Sequence, residues 1–146
     1  IMVETNIDDM NPEYYDYIED LLFDAGAKDV FKTNIMMKKN RPAIKISVLV
    51  DMDDLSKIEE ILFLQTTTFG LRYYEVTKME LDREFEKMDT LFGQVTVKKA
   101  YFNNKLIKSK FEYDQCKAIA KKYNLPINEV YKKLNLLLNK EHENGQ

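Results

Sequence analysis

The chain has 146 residues, 45% of them hydrophobic and 32% charged, with a formal net charge of −3. That is enough apolar material for one packed domain, or one small domain with an appendage, and the acidic balance weighs against a protein built chiefly for nucleic acid. No apolar run approaches the ~20 residues of a membrane span, and the single cysteine, Cys116, cannot form an internal disulfide and fits a reducing, cytoplasmic setting.

The first residues already alternate as a strand, with Thr5 and Ile7 opposed to Glu4 and Asn6. A chain that opens inside a strand reads as the C-terminal piece of something longer. From Asn11 the period changes: Tyr14, Tyr17, Ile18, Leu21, Leu22 and Ala25 recur at helical spacing, with Pro12 suited to the first turn and Gly26 to the stop. "VFKTNIMMKK" then predicts a strand with Phe31, Thr33, Ile35 and Met37 on one face. "KNRP" is a turn, and "AIKISVLV" a returning strand with Ile44, Ile46, Val48 and Val50 alternating. "DMDD" offers caps for a second helix carrying Leu55, Ile58, Ile61 and Leu62. "LRYYEVTKMEL" reads as a fourth strand with Leu71, Tyr73, Thr77 and Met79 on one face. The order βαββαβ predicts an α+β, ferredoxin-like sheet in the spatial order 4-1-3-2 over residues 1–85. Residues 86–146 read as an extension: a hairpin turning at Asn103-Asn104 and two helices, one with Cys116, Ile119, Ala120 and Tyr123, the other with Val130, Tyr131, Leu134, Leu137 and Leu138. The polar tail "KEHENGQ", with His142, reads as frayed.

In this topology the end of the first strand, the turn between the second and third, the end of the second helix and the start of the fourth strand share one end of the sheet. Those places hold Asp8 and Asp9; Lys38, Lys39, Asn40 and Arg41; Thr66, Thr67 and Thr68; and Arg72. Carboxylates suit Mg²⁺ or Mn²⁺, and lysine and arginine suit phosphate oxygens. The group is therefore a candidate site for a metal–polyphosphate complex, with Asp8 or Asp9 on the metal. Each part has a plainer reading when taken alone. The aspartates could cap the first helix, the basic turn could blunt an edge strand, and the threonines could be a β-branched helix end. Tyr14, Tyr17, Tyr73 and Tyr74 read as packing residues rather than base-stacking ones, and Cys116 as a small core residue.

"AIAKKYNLPINEVYKKL" allows a different function. Ala120, Asn124 and Val130 fall at the small, turn and buried positions of a helix-turn-helix, and Lys108 to Lys140 holds eight lysines against three acids. The would-be recognition helix shows Asn128, Glu129, Lys132 and Lys133 but no arginine to read guanine, so a helical pair packed on the domain or on another subunit is the plainer alternative.

"ETNIDDMNPE", "MMKKNRP", "TTTFGLR" and "FEYDQCKAIAKKYNLPINEVY" together resemble the C-terminal domain of the LarC family, the pyridinium-3,5-bisthiocarboxylic acid mononucleotide nickel insertion proteins of lactate racemase maturation, from about Val3 to Leu138. The resemblance implies a CTP-dependent cyclometallase that installs nickel in a pincer nucleotide through nickel–carbon and nickel–sulfur bonds as CTP is hydrolysed. It implies that this domain binds CTP with Mg²⁺ or Mn²⁺ and forms a homo-oligomer, with a hexamer expected. Asn40 and Ala43 stand where the family pattern has glycine; asparagine tolerates positive φ, so the turn is expected to survive. One histidine and one cysteine leave no evident imidazole or thiolate site for nickel. By the resemblance that work falls to a portion outside this chain.

Overall fold

A computed structural model of the chain describes the backbone of residues 1–144 and the side chains of residues 1–139. The βαββαβ order is realised by β1 (Met2–Ile7), α1 (Tyr14–Asp24), β2 (Asp29–Met37), β3 (Arg41–Leu49), α2 (Leu55–Gln65) and β4 (Arg72–Tyr74), all within the first of two compact units, Ile1–Lys78. The strands lie in the order β2-β3-β1-β4, as expected, with every neighbouring pair antiparallel.

Register decides which side chains share a face. Val3 pairs with Val48, and Thr5 with Ile46, placing these on the side covered by the helices. There Val3, Val48, Val50, Ile58 and Leu62 are essentially inaccessible and pack with Ile18 and Leu22 of α1. Helix α1 ends in a Schellman arrangement: the Ala27 N–H donates to the Leu22 carbonyl at 3.0 Å, and Gly26 takes φ +104.

Phe31, Thr33, Ile35 and Met37 share a face, as expected; it is the one turned away from the helices, and β2 contributes Val30 to the core. Several other expectations are corrected. Strand β4 stops at Tyr74, so Thr77 and Met79 are not part of it. Tyr14, Tyr17, Tyr73 and Tyr74 are all about half exposed rather than packed, whereas Tyr15, one position along α1, leans on the core. Asp8 and Asp9 do not cap α1: Glu13 occupies the cap position without a side-chain bond, and Asn11 Oδ1 accepts the Glu13 N–H at 3.0 Å. Nor does "DMDD" cap α2 through a side chain; Asp54 pairs with Lys57 at 2.7 Å.

The second unit begins at Met79 and holds β5 (Asp82–Thr90), β6 (Gly93–Phe102), β7 (Lys105–Phe111), α3 (Tyr113–Tyr123) and α4 (Ile127–Asn144). Its sheet has three strands, not the two expected, because β5 pairs with β6 along its whole length. The boundary read after residue 85 therefore falls inside a strand. The β6–β7 turn sits at Asn103 and Asn104, with φ of 49 and 60. Val95, Val97, Phe111, Cys116, Val130 and Leu134 form a separate core between this sheet and its helices. Burial pushes the Cys116 thiol above its ordinary pKa. The polar tail and His142 lie outside the residues whose side chains are described.

Candidate functional site

Strand β1 lies between β3 and β4, so its C-terminal end can reach both neighbours. It does so with consecutive aspartates. Asp8 accepts a hydrogen bond from Arg41 Nη1, at the start of β3, at 3.2 Å. Asp9 accepts one from the Thr67 hydroxyl in the α2–β4 loop. The two carboxylates thus diverge, one toward each flank, and segments far apart in sequence meet at one end of the sheet.

The β2–β3 turn is a single 3₁₀ turn, Lys38–Asn40, in which Lys39 and Asn40 carry φ of 61 and 56. Asn40 at positive φ is as expected for a residue replacing glycine. Lys39 is not: a lysine in the left-handed region costs roughly 1 kcal/mol, and backbone strain of this kind concentrates at functional positions. Lys38 and Lys39 engage no carboxylate among the described residues, which leaves both ammonium groups available to an anion.

The threonine run has an internal structure that the sequence does not show. The Thr66 hydroxyl donates to the Leu62 carbonyl at 2.6 Å, closing α2, and accepts the Thr68 N–H at 3.2 Å. Thr68 shares a 2.6 Å hydrogen bond with Thr5 of β1 and donates to the Gly70 carbonyl at 2.9 Å. Thr66 and Thr68 therefore hold the loop, and Thr67 is the one aimed at the aspartates. The same loop presents Phe69 fully to solvent.

Arg72 pairs in register with Glu4, so it lies on the sheet face turned away from the helices. Its Nε donates to Glu4 Oε2 at 3.1 Å and its Nη2 to Asn6 Oδ1 at 3.0 Å. Glu4 also accepts from Lys45 Nζ at 2.8 Å, the Ser47 hydroxyl at 3.2 Å and the Tyr74 hydroxyl at 3.4 Å. Glu4 as a residue is only 7% exposed, and the Lys45 hydrogen bond in particular holds its carboxyl pKa below the ordinary range. Sequence reasoning passed over Glu4, Lys45 and Ser47. The available signal was their shared phase: all three fall on the uncovered face of β1 and β3. Glu4 and Asn6 form a row there, with Arg72 on one side and Lys45 on the other, and the Asp8–Arg41 pair follows just beyond the end of β1.

Among the described residues no group of three or more His, Cys, Asp or Glu side chains could hold a metal ion. Asp8 and Asp9 offer hard oxygen donors but no cage. That donor set fits an ion whose shell is completed by phosphate oxygens and water, the usual habit of Mg²⁺ beside a nucleotide.

The α+β architecture is shared with LarC2, solved without ligand and described as the C-terminal domain of a cyclometallase involved in the synthesis of the NPN cofactor of lactate racemase; the TM-score is 0.89 at 35% identity, covering 94% of this chain and 95% of that one. A protein of Methanopyrus kandleri shares the fold at a TM-score of 0.68 and 23% identity, over 90% of this chain and 81% of that one. The chain belongs to the nickel insertion protein family, which it matches over residues 1–131. It is 50% identical to the pyridinium-3,5-bisthiocarboxylic acid mononucleotide nickel insertion protein of Clostridium kluyveri and 53% identical to that of Clostridium acetobutylicum, in each case over 90% of this chain. Those matches cover 33% and 31% of the relatives, so the chain spans about a third of their length.

Proposed function

We propose that this chain is the CTP-binding part of a CTP-dependent nickel insertase, and that it holds the nucleotide together with Mg²⁺ or Mn²⁺ at the end of β1. One observation carries this reading: Asp8–Arg41 and Asp9–Thr67 tie three remote segments into a single cluster of carboxylates, cations and hydroxyls. Of the diverging pair Asp8 and Asp9, one is assigned to the metal directly and the other to the support of the site. Lys38, Lys39, Arg41 and Arg72 are assigned to the triphosphate, with the Thr66–Thr68 loop as secondary contact through Thr67. When bound, the metal would neutralise phosphate oxygens. The protein's own part is to position: Arg41 can offer a fork to two phosphate oxygens, while the lysines act as point charges from the strained turn. The whole protein is proposed to insert nickel, as substrate, into a pyridinium bisthiocarboxylate mononucleotide with lyase-type cyclometallation chemistry, as a cytoplasmic, hexameric homo-oligomer. No helix among the described residues is long and apolar enough to cross a membrane.

A second reading uses α3 and α4, joined through Asn124 at φ 50, as a nucleic-acid-binding or purely oligomerising module. Calorimetric titration separates the two. The chain is expected to bind CTP with Mn²⁺, less well without metal, and in preference to ATP or duplex DNA. No heat with metal–CTP would sink the nucleotide reading, and tight salt-dependent DNA binding would favour the helices. Lys39→Ala is expected to weaken CTP binding with little change in melting temperature.

A further inference from the structure

A cavity of about 880 Å³ opens between the N-terminal turn of α1 and the strands β2 and β3. Its size is that of a small-molecule site. Tyr15 and Pro42 contribute apolar wall, and Asp8 lines it as well. Because Asp8 is also the partner of Arg41, the cavity and the phosphate cluster share a residue. Its other polar side chains are Asp16, Lys32 and Asn34. Lys32 is committed to Glu19. The Asp16 carboxylate and the Asn34 amide are both exposed, and neither has a side-chain partner among the described residues.

We propose that this cavity takes the heterocycle of the nucleotide, and that Asp16 selects a ring bearing an exocyclic amine over one bearing a carbonyl at the same position. The inference rests on the nucleotide reading above and deepens it. An ionised carboxylate can only accept hydrogen bonds, so it pairs with the amine of cytosine. Facing uracil, it would set acceptor against acceptor, a repulsion that rejects the wrong base. Asn34 cannot make that distinction. Its amide can turn either end toward the ring and so adds affinity for both bases. Asp16 is thus the specificity residue and Asn34 a general contact.

The test titrates CTP, UTP and inorganic tripolyphosphate, each with Mn²⁺, into the wild-type chain and into Asp16→Asn and Asn34→Ala. The wild type is expected to prefer CTP over UTP. Asp16→Asn should weaken CTP roughly tenfold or more and narrow the CTP-to-UTP ratio, because a carboxamide can donate to the uracil carbonyl. Tripolyphosphate affinity should not move. Asn34→Ala should weaken CTP and UTP by similar factors. An unchanged CTP-to-UTP ratio in Asp16→Asn, with tripolyphosphate still bound, overturns the base assignment and leaves the phosphate site standing. Equal losses of CTP and tripolyphosphate in Asp16→Asn overturn it as well, since the residue would then be structural. Failure of the wild type to bind either CTP or tripolyphosphate removes the nucleotide reading and this inference together.

Discussion

Glu4→Ala is the substitution whose cost the structure defines best. It removes the acceptor shared by Lys45, Ser47, Arg72 and Tyr74. Breaking a buried ion pair from one side costs about 3–5 kcal/mol when the remaining charge stays dry. Here Lys45 and Arg72 are 26% and 50% exposed, so water recovers part of that loss. Ser47, fully buried, loses its acceptor and adds about 1 kcal/mol. The expected total is about 2–3 kcal/mol, which for a unit of this size lowers Tm by roughly 8–24 °C. Glu4→Gln keeps the shape and one acceptor, and should cost less than half as much. The pH dependence has a definite sign. The folded pKa lies below the ordinary 4.5, chiefly through the Lys45 hydrogen bond, so the unfolded chain takes up the proton first. The stabilisation is complete above that ordinary value and is lost as pH falls through the folded pKa. Thermal melts of both variants across acid pH test this. A Tm change in Glu4→Ala too small to measure, or an acid profile identical in wild type and Glu4→Gln, would refute the reasoning.

Arg41→Ala should weaken metal–CTP binding at least tenfold yet cost under about 1 kcal/mol of stability, because the Arg41–Asp8 pair is exposed on the arginine side; parallel calorimetry and melting check both halves. Gly26→Ala should destabilise by about 1–2 kcal/mol, since φ is +104 and the new Cβ would stand 2.7 Å from Asp54 Oδ2; a denaturant midpoint shift measures it. Cys116 is fully buried with a raised pKa, so a thiol reagent at neutral pH should label it only as fast as the second unit opens, and addition of denaturant should release the reaction.

The elements most legible in the sequence are those whose burial imposes a period. Ile18 and Leu22, Ile58 and Leu62, and Ile46, Val48 and Val50 mark their helices and strand because each must face the same core. Strand β5 left no such trace: most of "DREFEKMDT" is exposed, and what makes it a strand is backbone pairing with β6 rather than a buried face. On β2 the pattern names a shared face but not the side of the sheet it takes. Phe31, Ile35 and Met37 look like a core face, yet the register of Val30 with Val48 turns them away from the helices. At the candidate site, topology alone gathers the aspartates, the basic turn and the threonines at one end of the sheet. What it cannot supply is the pairing. Asp8 chooses Arg41, Asp9 chooses Thr67, and two of the three threonine hydroxyls are spent holding their own loop. Glu4 was missed because a lone carboxylate in a strand looks solvent-facing until its neighbours across the sheet are known.

The interior position of β1 also bears on how the first unit folds. Its two edges are filled by residues far along the chain, Val3 meeting Val48 on one side and Tyr73 on the other. The second of these pairings closes a long loop for only three ladder residues, so it carries a large entropic cost for little gain and should form late. Until the segment around Tyr73 has been made, β4 cannot cover that edge of β1. That edge is a docking place for any other extended chain in the interval, which makes the shortest strand of the sheet the one that guards against misassembly.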